Sequence, residues 1–215
     1  MSFNNIIWSA GNLNDLPLTQ TLYAELLKSG LRLNVYTYGS LMHACSKARN
    51  PKLAIELLDK MQAERVTPNQ IVFTSAMEAC SEGGKYKEAL MIMDRMKISG
   101  VRPDLTMINA AIKACCLGGA MEEAEAFAAS LREYGAMDLF TYHTLMMGHT
   151  KLNRHGRVLE LYEEAIHSSA KLDGGIYSLA MLSALNCGMV SMVEAPSLLL
   201  GTPLFLLHIK IFVGA

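Results

Sequence analysis

A 35-residue internal repeat constrains this chain more than any other feature of its sequence. Residues of one kind recur at that interval in several independent ladders, namely Cys45, Cys80 and Cys115; Ala54, Ala89 and Ala124; Met61, Met96 and Leu131; Pro68 and Pro103; and Gly30, Arg65, Gly100 and Gly135. Because the ladders agree on one period, they predict tandem supersecondary units that stack and bury a common core.

Division of the chain at this period yields five to six aligned units. They span residues 3–34, 35–69, 70–104, 105–138, 139–173 and, in part, 174–194. A non-repeating tail follows at 195–215. The first unit is truncated because Met1 falls inside its first helix, and the fourth unit is one residue short. This beginning predicts a fragment of a longer array, although an internal start codon would produce the same pattern.

Each unit predicts two helices joined by a short turn. In residues 70–104 an apolar stripe follows the i, i+3, i+4, i+7 spacing of a helix and comprises Phe73, Ala76, Met77 and Cys80. Gly83 and Gly84 interrupt that pattern, and Gly100 and Pro103 end the helical segment that follows. A hairpin of this size buries its apolar face only against its neighbours. The fold class is therefore all-α, a solenoid of helix-turn-helix repeats.

Charge and cysteine content narrow the function classes. The formal net charge is −1, so attraction to nucleic acid has to come from a local basic patch. The chain has an odd number of cysteines and no CxxC pair, which favours a reducing compartment over a disulfide framework. The first 15 residues lack Lys and Arg, so they resemble neither a signal peptide nor a transit peptide. No catalytic motif of the HExxH, Walker or GxSxG type occurs, and we expect no enzymatic activity, cofactor or small-molecule substrate.

The units open with the runs VYTYGSLM, QIVFTSAM, LTMINAAI and LFTYHTLM, and two of them close with RVTPN and GVRPD. In period, opening run and closing Pro-Asp the chain resembles the pentatricopeptide repeat family, in its plain 35-residue class. The fourth unit lacks the closing proline, and the fifth has Leu172 in its place. Tetratricopeptide repeats, with a period of about 34 residues, are the nearest alternative.

The resemblance implies a right-handed α-α superhelix and a function. Members of this family are adaptors for single-stranded RNA, in RNA stability, processing or translation within mitochondria or chloroplasts. A protein-binding scaffold that uses the same concave face is the alternative function. It differs from RNA binding in lacking a steep dependence on salt.

In this family each repeat reads one base through two positions. One follows the aromatic of the opening run, and the other closes the repeat. Carried over to this chain, the pairs are Asn4 with Asn34, Gly39 with Asn69, Thr74 with Asp104, Asn109 with Asp138, and His143 with Asp173. The resemblance implies a target of pyrimidine-N-G-U-N from the 5′ end, where N is a base that is not read.

Two further sets complete the implied RNA site. The base is sandwiched by the second residue of each repeat, which corresponds to Tyr36, Ile71, Thr106 and Phe140. Lys47 and Lys151 share a position late in the first helix, where a lysine resembles a phosphate contact, whereas Glu82 and Leu117 occupy that position in the units between them. Two plainer interpretations stay open. The closing Asn and Asp residues are also suitable helix N-caps, and the lysines are also ordinary surface residues.

Other patterns point to structure rather than chemistry. The Cys45, Cys80 and Cys115 ladder predicts small buried core residues, because stacked helices hold equivalent positions about 10 Å apart, too far for one metal ion. The glutamates of α-helical stretches such as Glu163 and Glu164 are expected on solvated faces. The apolar tail contains Pro and Gly, so it is not expected to span a membrane. It either covers the last repeat or is not part of the native array.

Overall fold

Every regular element in the described part of the chain is an α-helix, which confirms the all-α class. The structure, a computed structural model, describes residues 3–13, 16–30, 33–168 and 172–188. The helices are α1 (Phe3–Asn12), α2 (Leu16–Lys28), α3 (Val35–Lys47), α4 (Pro51–Ala63), α5 (Gln70–Ser81), α6 (Tyr86–Ile98), α7 (Leu105–Gly118), α8 (Met121–Glu133), α9 (Leu139–Lys151), α10 (His155–His167) and α11 (Gly174–Asn186). The odd-numbered helices are called first helices below, and the even-numbered ones second helices.

The helices form two compact units, Met1–Ala120 and Met121–Ala215. In the first unit the first helices α1, α3, α5 and α7 pack side by side in chain order. Each of the second helices α2, α4 and α6 packs between the first helix of its own hairpin and the next one. In the second unit α9 packs on α11, and α8 and α10 cover α9. Tandem helix hairpins with this packing are the architecture of an α-solenoid.

The repeat ladders form the core because the same helix face is buried in every hairpin. Cys45, Cys80 and Cys115 are at most 1% exposed, and Ala54, Ala89 and Ala124 are fully buried. Small side chains at these positions let neighbouring helices approach closely. The prediction that the cysteines are core residues is confirmed by this burial. The tail at 195–215 lies outside the described residues.

An ion-pair network holds the helices of the second compact unit together. The carboxylate of Glu125 on α8 accepts hydrogen bonds from His149 on α9 (3.0 Å), from Arg157 on α10 (2.9 Å) and from Arg132 on α8 (3.1 Å). Glu164 closes the network, with contacts of 2.9 Å to Arg132 and 3.3 Å to Arg157. The expectation that Glu164 lies on a solvated face is therefore wrong, because two arginines draw it into a part-buried cluster.

Gly118, at the end of α7, packs closely against the turn that precedes α6 in the first unit. A Cβ at this position would lie 2.5 Å from the carbonyl oxygen of Gly84 and 2.7 Å from Cδ1 of Tyr86. Gly118→Ala is expected to lower the free energy of unfolding by about 1–3 kcal/mol, because the turn has to move.

The measurement is urea unfolding followed by circular dichroism. Gly83→Ala is the matched control, since a Cβ there meets only Lys85 Cγ at 3.5 Å, and we expect a change within about 0.5 kcal/mol. Equal midpoints for the two variants would contradict the close packing at Gly118.

Candidate nucleic-acid interface

One face of each first helix carries the residues that the sequence predicts to bind RNA. Helical geometry aligns the second, fifth, ninth and thirteenth residues of each repeat, because successive residues are 100° apart around the axis. On α3 these residues are Tyr36, Gly39, His43 and Lys47. We call this surface, with its equivalents on the other first helices, the first-helix face.

Large apolar side chains stand exposed at the second position of several repeats. Tyr36 is 75% exposed, Ile71 68% and Phe140 50%, and Thr106 is also exposed. A single exposed apolar residue is common on a protein surface. Recurrence at one repeat position is different, because it places a flat or branched apolar surface beside the N-termini of α3, α5 and α9. Side chains of this kind suit contact with the faces of unstacked bases.

The residues that close the repeats all cap the next first helix. Asn34 Oδ1 accepts hydrogen bonds from the backbone N–H groups of Tyr36 and Thr37, both at 3.0 Å. The same role is filled by Asn69, Asp104, Asp138 and Asp173. The cap interpretation is thus observed at every closing position. Base contact stays a prediction. It is compatible with capping, because a carboxylate or amide that caps with one polar atom has a second polar atom for another contact.

Capping and a second contact coexist at Asp104. Its Oδ1 caps α7 through the N–H of Met107 at 2.9 Å, while its Oδ2 accepts a hydrogen bond from the side-chain amide of Gln70 at 2.5 Å. Gln70 opens the same repeat that Asp104 closes. The second carboxylate oxygen is therefore not used by the cap and contacts a side chain of the neighbouring first helix α5.

The fifth-position residues differ in accessibility. Thr74 is part-buried, and its hydroxyl donates to the carbonyl of Gln70 at 2.9 Å. Asn109 is only 8% exposed, which restricts its access to a base more than the sequence suggests. The side chain of Asn4 lies outside the described residues.

The fifth unit shows the paired positions converging in space. A Cβ built on Gly175 would lie 3.0 Å from His143 Nε2 and 3.3 Å from Asp173 Oδ1. Gly175 is the second residue of the following partial repeat. The fifth-position residue, the closing residue and the next second position therefore pack closely together in this compact unit. Even a methyl group at Gly175 would be crowded by the His143 ring.

Basic residues on this face are more evenly distributed than the sequence predicts. Lys47 and Lys151 end α3 and α9 and are exposed. The acidic interruption at Glu82 is neutralised, because Lys113 Nζ lies 2.6 Å from its carboxylate and Arg49 3.8 Å. The Lys113 hydrogen bond lowers the pKa of Glu82. Lys113 could not be assigned from sequence, since its role depends on a contact between two repeats.

A stacked aromatic pair on the first-helix face also escaped the sequence interpretation. The rings of Trp8 and His43 lie 5.9 Å apart at 15°, and Trp8 is 52% exposed. His43 Nε2 lies 2.8 Å from Asn12 Oδ1. Burial and the nearby Lys47 lower the pKa of His43, against a smaller opposing effect of Glu78. The histidine is therefore neutral at physiological pH, and the pair forms an uncharged stacking surface.

The cysteines and acidic residues offer no metal centre. The described residues contain no group of three or more His, Cys, Asp and Glu side chains that could hold a metal ion. Burial raises the pKa of Cys45 and of Cys80 to about 12, so both remain protonated thiols in the core. Within the described residues, no helix is long and apolar enough to cross a membrane.

Comparison with protein families identifies the repeat. A pentatricopeptide repeat domain model matches residues 21–83 and 70–117, and a single-repeat model of the same family matches residues 140–168. Together the matches cover more than half of the chain. A pentatricopeptide repeat-containing protein from Arabidopsis thaliana is 27% identical, over 34% of this chain and 12% of its own length. The chain thus spans about an eighth of that curated relative.

Solved structures share the fold. The chain is similar to the PPR domain of Arabidopsis thaliana protein-only RNase P 1 in complex with tRNA, with a TM-score of 0.69, 17% identity, and coverage of 84% of this chain and 96% of that one. It is also similar to the pentatricopeptide repeat protein PPR10 in complex with an 18-nt psaJ RNA element, with a TM-score of 0.67, 20% identity, and coverage of 86% and 27%. Both likenesses place the helix hairpins in the same solenoid fold.

Proposed function

This chain belongs to the pentatricopeptide repeat family, and from that premise we propose that it is a non-catalytic adaptor that binds single-stranded RNA, with about one base per repeat. The observation that carries the proposal is the first-helix face itself. It combines exposed apolar side chains at the second positions with polar side chains at the fifth and closing positions. In the fifth repeat the close approach of His143 and Asp173 beside Gly175 supports a joint role of the fifth and closing positions in reading a base.

The two similar structures are complexes with RNA, one with a tRNA and the other with an 18-nt element. They support RNA as the ligand class. The pairs on this chain support the target pyrimidine-N-G-U-N, with the guanine read by Thr74 and Asp104. A role in organelle RNA stability, processing or translation is part of the same proposal and rests on the family resemblance.

Selection from a random single-stranded RNA pool at low salt tests the proposal. We expect an enriched motif that contains the G-U step. Binding should weaken with salt at a log–log slope of about −0.7 for each phosphate contacted. Among the described residues Lys47, Lys113 and Lys151 are the lysines of the first-helix face, so the slope should be about −2 if each contacts one phosphate. Failure to enrich any motif at low salt would sink RNA recognition and favour the protein-scaffold alternative.

A single substitution tests the base-reading positions. Thr74→Asn gives the third repeat the Asn and Asp combination of the fourth repeat, which resembles a uracil reader. We expect the preferred base at that site to change from guanine to uracil. Overall affinity should be kept, because the Thr74 hydroxyl bonds only its own helix backbone among the contacts described.

The measurement is repeated selection with the variant, followed by affinity for matched G and U oligonucleotides. Ser40→Asn on α3, one residue beyond the fifth position of the second repeat, is the matched control and should leave the motif unchanged. If the Thr74 variant still enriches guanine at the same site, base reading by the fifth position is contradicted for this repeat.

A further inference from the structure

A groove lies on the second-helix side of the first compact unit, between the end of α4, the loop that follows it and the end of α6. Its volume is about 390 Å³. Leu58, Val66, Pro68 and Phe73 form its apolar lining. The groove is formed by residues outside the first-helix face, so RNA binding as proposed above does not use it.

The wall of the groove carries an apolar side chain that the repeat pattern does not require. Ile98 is 86% exposed at the end of α6. The equivalent residues of the other repeats are Lys28, Ala63, Glu133 and His167. A large aliphatic side chain is therefore specific to this junction, and it extends the apolar lining to the groove's rim.

Arg65 departs from the repeat pattern in its backbone as well as its charge. Its φ is +55°, in the left-handed region that side chains with a Cβ rarely adopt. The equivalent residues in three other repeats are Gly30, Gly100 and Gly135, with φ from +61° to +71°. Arg65 thus places a guanidinium beside the groove at a turn where three other repeats have glycine.

Arg95 supplies a second guanidinium whose hydrogen-bonding capacity is only partly used. One of its terminal nitrogens, Nη2, lies 2.6 Å from Asp59 Oδ1. Among the described residues the other, Nη1, is buried and has no hydrogen-bond partner. The side chain as a whole is 25% exposed. Two arginines against one acidic contact leave the groove with an excess of positive charge beside an apolar floor.

We propose that this groove binds an acidic segment of a partner protein, with one large apolar side chain seated on the floor and a carboxylate paired with Arg65 or Arg95. Guanidinium groups bind carboxylates through paired, charge-assisted hydrogen bonds. The apolar lining distinguishes a peptide from an RNA backbone, because phosphates and sugars would leave the accessible apolar side chains of Val66, Pro68 and Ile98 without a matching surface. Short peptides with a few anchoring side chains commonly bind to such grooves.

The test uses arrays of fluorescein-labelled nine-residue peptides of three fixed patterns, acidic with Leu or Phe, basic with Leu or Phe, and acidic with Ser or Gly. The protein is the whole chain, at low salt. We expect a subset of the acidic–apolar peptides to bind at least about tenfold more tightly than the best peptides of the other two patterns. The array result overturns the proposal if no acidic–apolar peptide binds, or if basic peptides bind equally well.

Groove variants then locate the site, with the best acidic–apolar peptide as probe. Arg95→Gln and Ile98→Ser should each weaken its binding about tenfold or more. Lys97→Gln and Met91→Ser, both exposed residues of α6 outside the groove, are the matched charge and apolar controls and should change binding less than about twofold. Equal losses in the controls, or none in the groove variants, would overturn the assignment.

A paired glycine substitution separates binding from folding. Arg65→Gly and Arg49→Gly both relieve a left-handed backbone, since φ at Arg49 is +51°. Both variants should unfold at a higher temperature than the parent chain. Only Arg65→Gly should weaken peptide binding. If both or neither weaken it, the groove is not the site.

The affinity of the groove variants Arg65→Gly, Arg95→Gln and Ile98→Ser for the selected RNA should stay within about twofold of the parent. A comparable loss of RNA binding in Arg95→Gln would assign the groove to nucleic acid and overturn the peptide proposal. Peptide binding without any RNA binding would instead contradict the proposed function alone.

Discussion

Replacement of Tyr36, Ile71 and Phe140 by alanine in one chain is expected to lower affinity for single-stranded RNA by a hundredfold or more. Contact between a base and a flat or apolar side chain contributes about 1–3 kcal/mol for each base. Three such losses together lower the affinity by at least about a hundredfold. Folding should be unaffected, because the three side chains are 50–75% exposed and contribute little to the core.

The measurement is fluorescence anisotropy with a labelled RNA pool that contains the pentamer pyrimidine-N-G-U-N. The matched control replaces Met91, Ile98 and Tyr134 by alanine, which are also apolar and 46–86% exposed but lie outside the first-helix face. The control should retain the parent affinity. A similar loss in both triple variants would show that the second positions have no special role, and an unchanged affinity in the first would remove the stacking surface from the proposed function.

Glu125→Ala is expected to destabilise the second compact unit by about 3 kcal/mol or more, with a fall in Tm of roughly 6–12 °C. The carboxylate compensates the charge of Arg132 and Arg157 and bonds His149, which is 3% exposed. Removal leaves the buried imidazole without this partner, and it leaves Arg132 and Arg157 with Glu164 and Glu160 as their remaining carboxylates. Each hydrogen bond between charged groups contributes about 1.5–3 kcal/mol, and three of them are lost together.

The same cluster predicts a dependence of stability on pH. Burial alone would raise the pKa of Glu125, but hydrogen bonds from His149, Arg157 and Arg132 outweigh it and hold the pKa well below its usual range. A carboxyl whose pKa is lower in the folded state stabilises the fold at pH values above its unfolded pKa of about 4.3. This contribution declines as the pH falls below that value toward the folded pKa.

Thermal unfolding between pH 3 and pH 7 measures both effects. In Glu125→Gln the part of the acid destabilisation that comes from this carboxyl should disappear. Glu163→Ala removes an exposed carboxylate of α10 that lies outside the cluster. It is the matched control and should shift stability by no more than about 0.5 kcal/mol. Parent-like stability of Glu125→Ala at neutral pH would contradict the role of the network.

The sequence by itself determined the helix hairpins and the positions of the residues on the first-helix face. Both follow from local physics. An apolar stripe at helical spacing predicts a helix wherever it occurs. Asn34, Asp104 and Asp138 each cap the following helix through the N–H group three residues further on. Repetition then multiplies each local signal, so the starts of α3, α5, α7, α9 and α11 coincide with the first residues of the predicted repeats.

The tertiary structure alone decided how side chains from different helices meet. The burial of Asn109, the neutralisation of Glu82 by Lys113 and the Glu125 cluster all depend on distances between helices that no local pattern contains. Burial depends on which side chains lie within a few ångströms, and electrostatic interactions weaken as the distance between two charges grows. A repeat period aligns equivalent residues along the chain, but only packing determines which two of them touch.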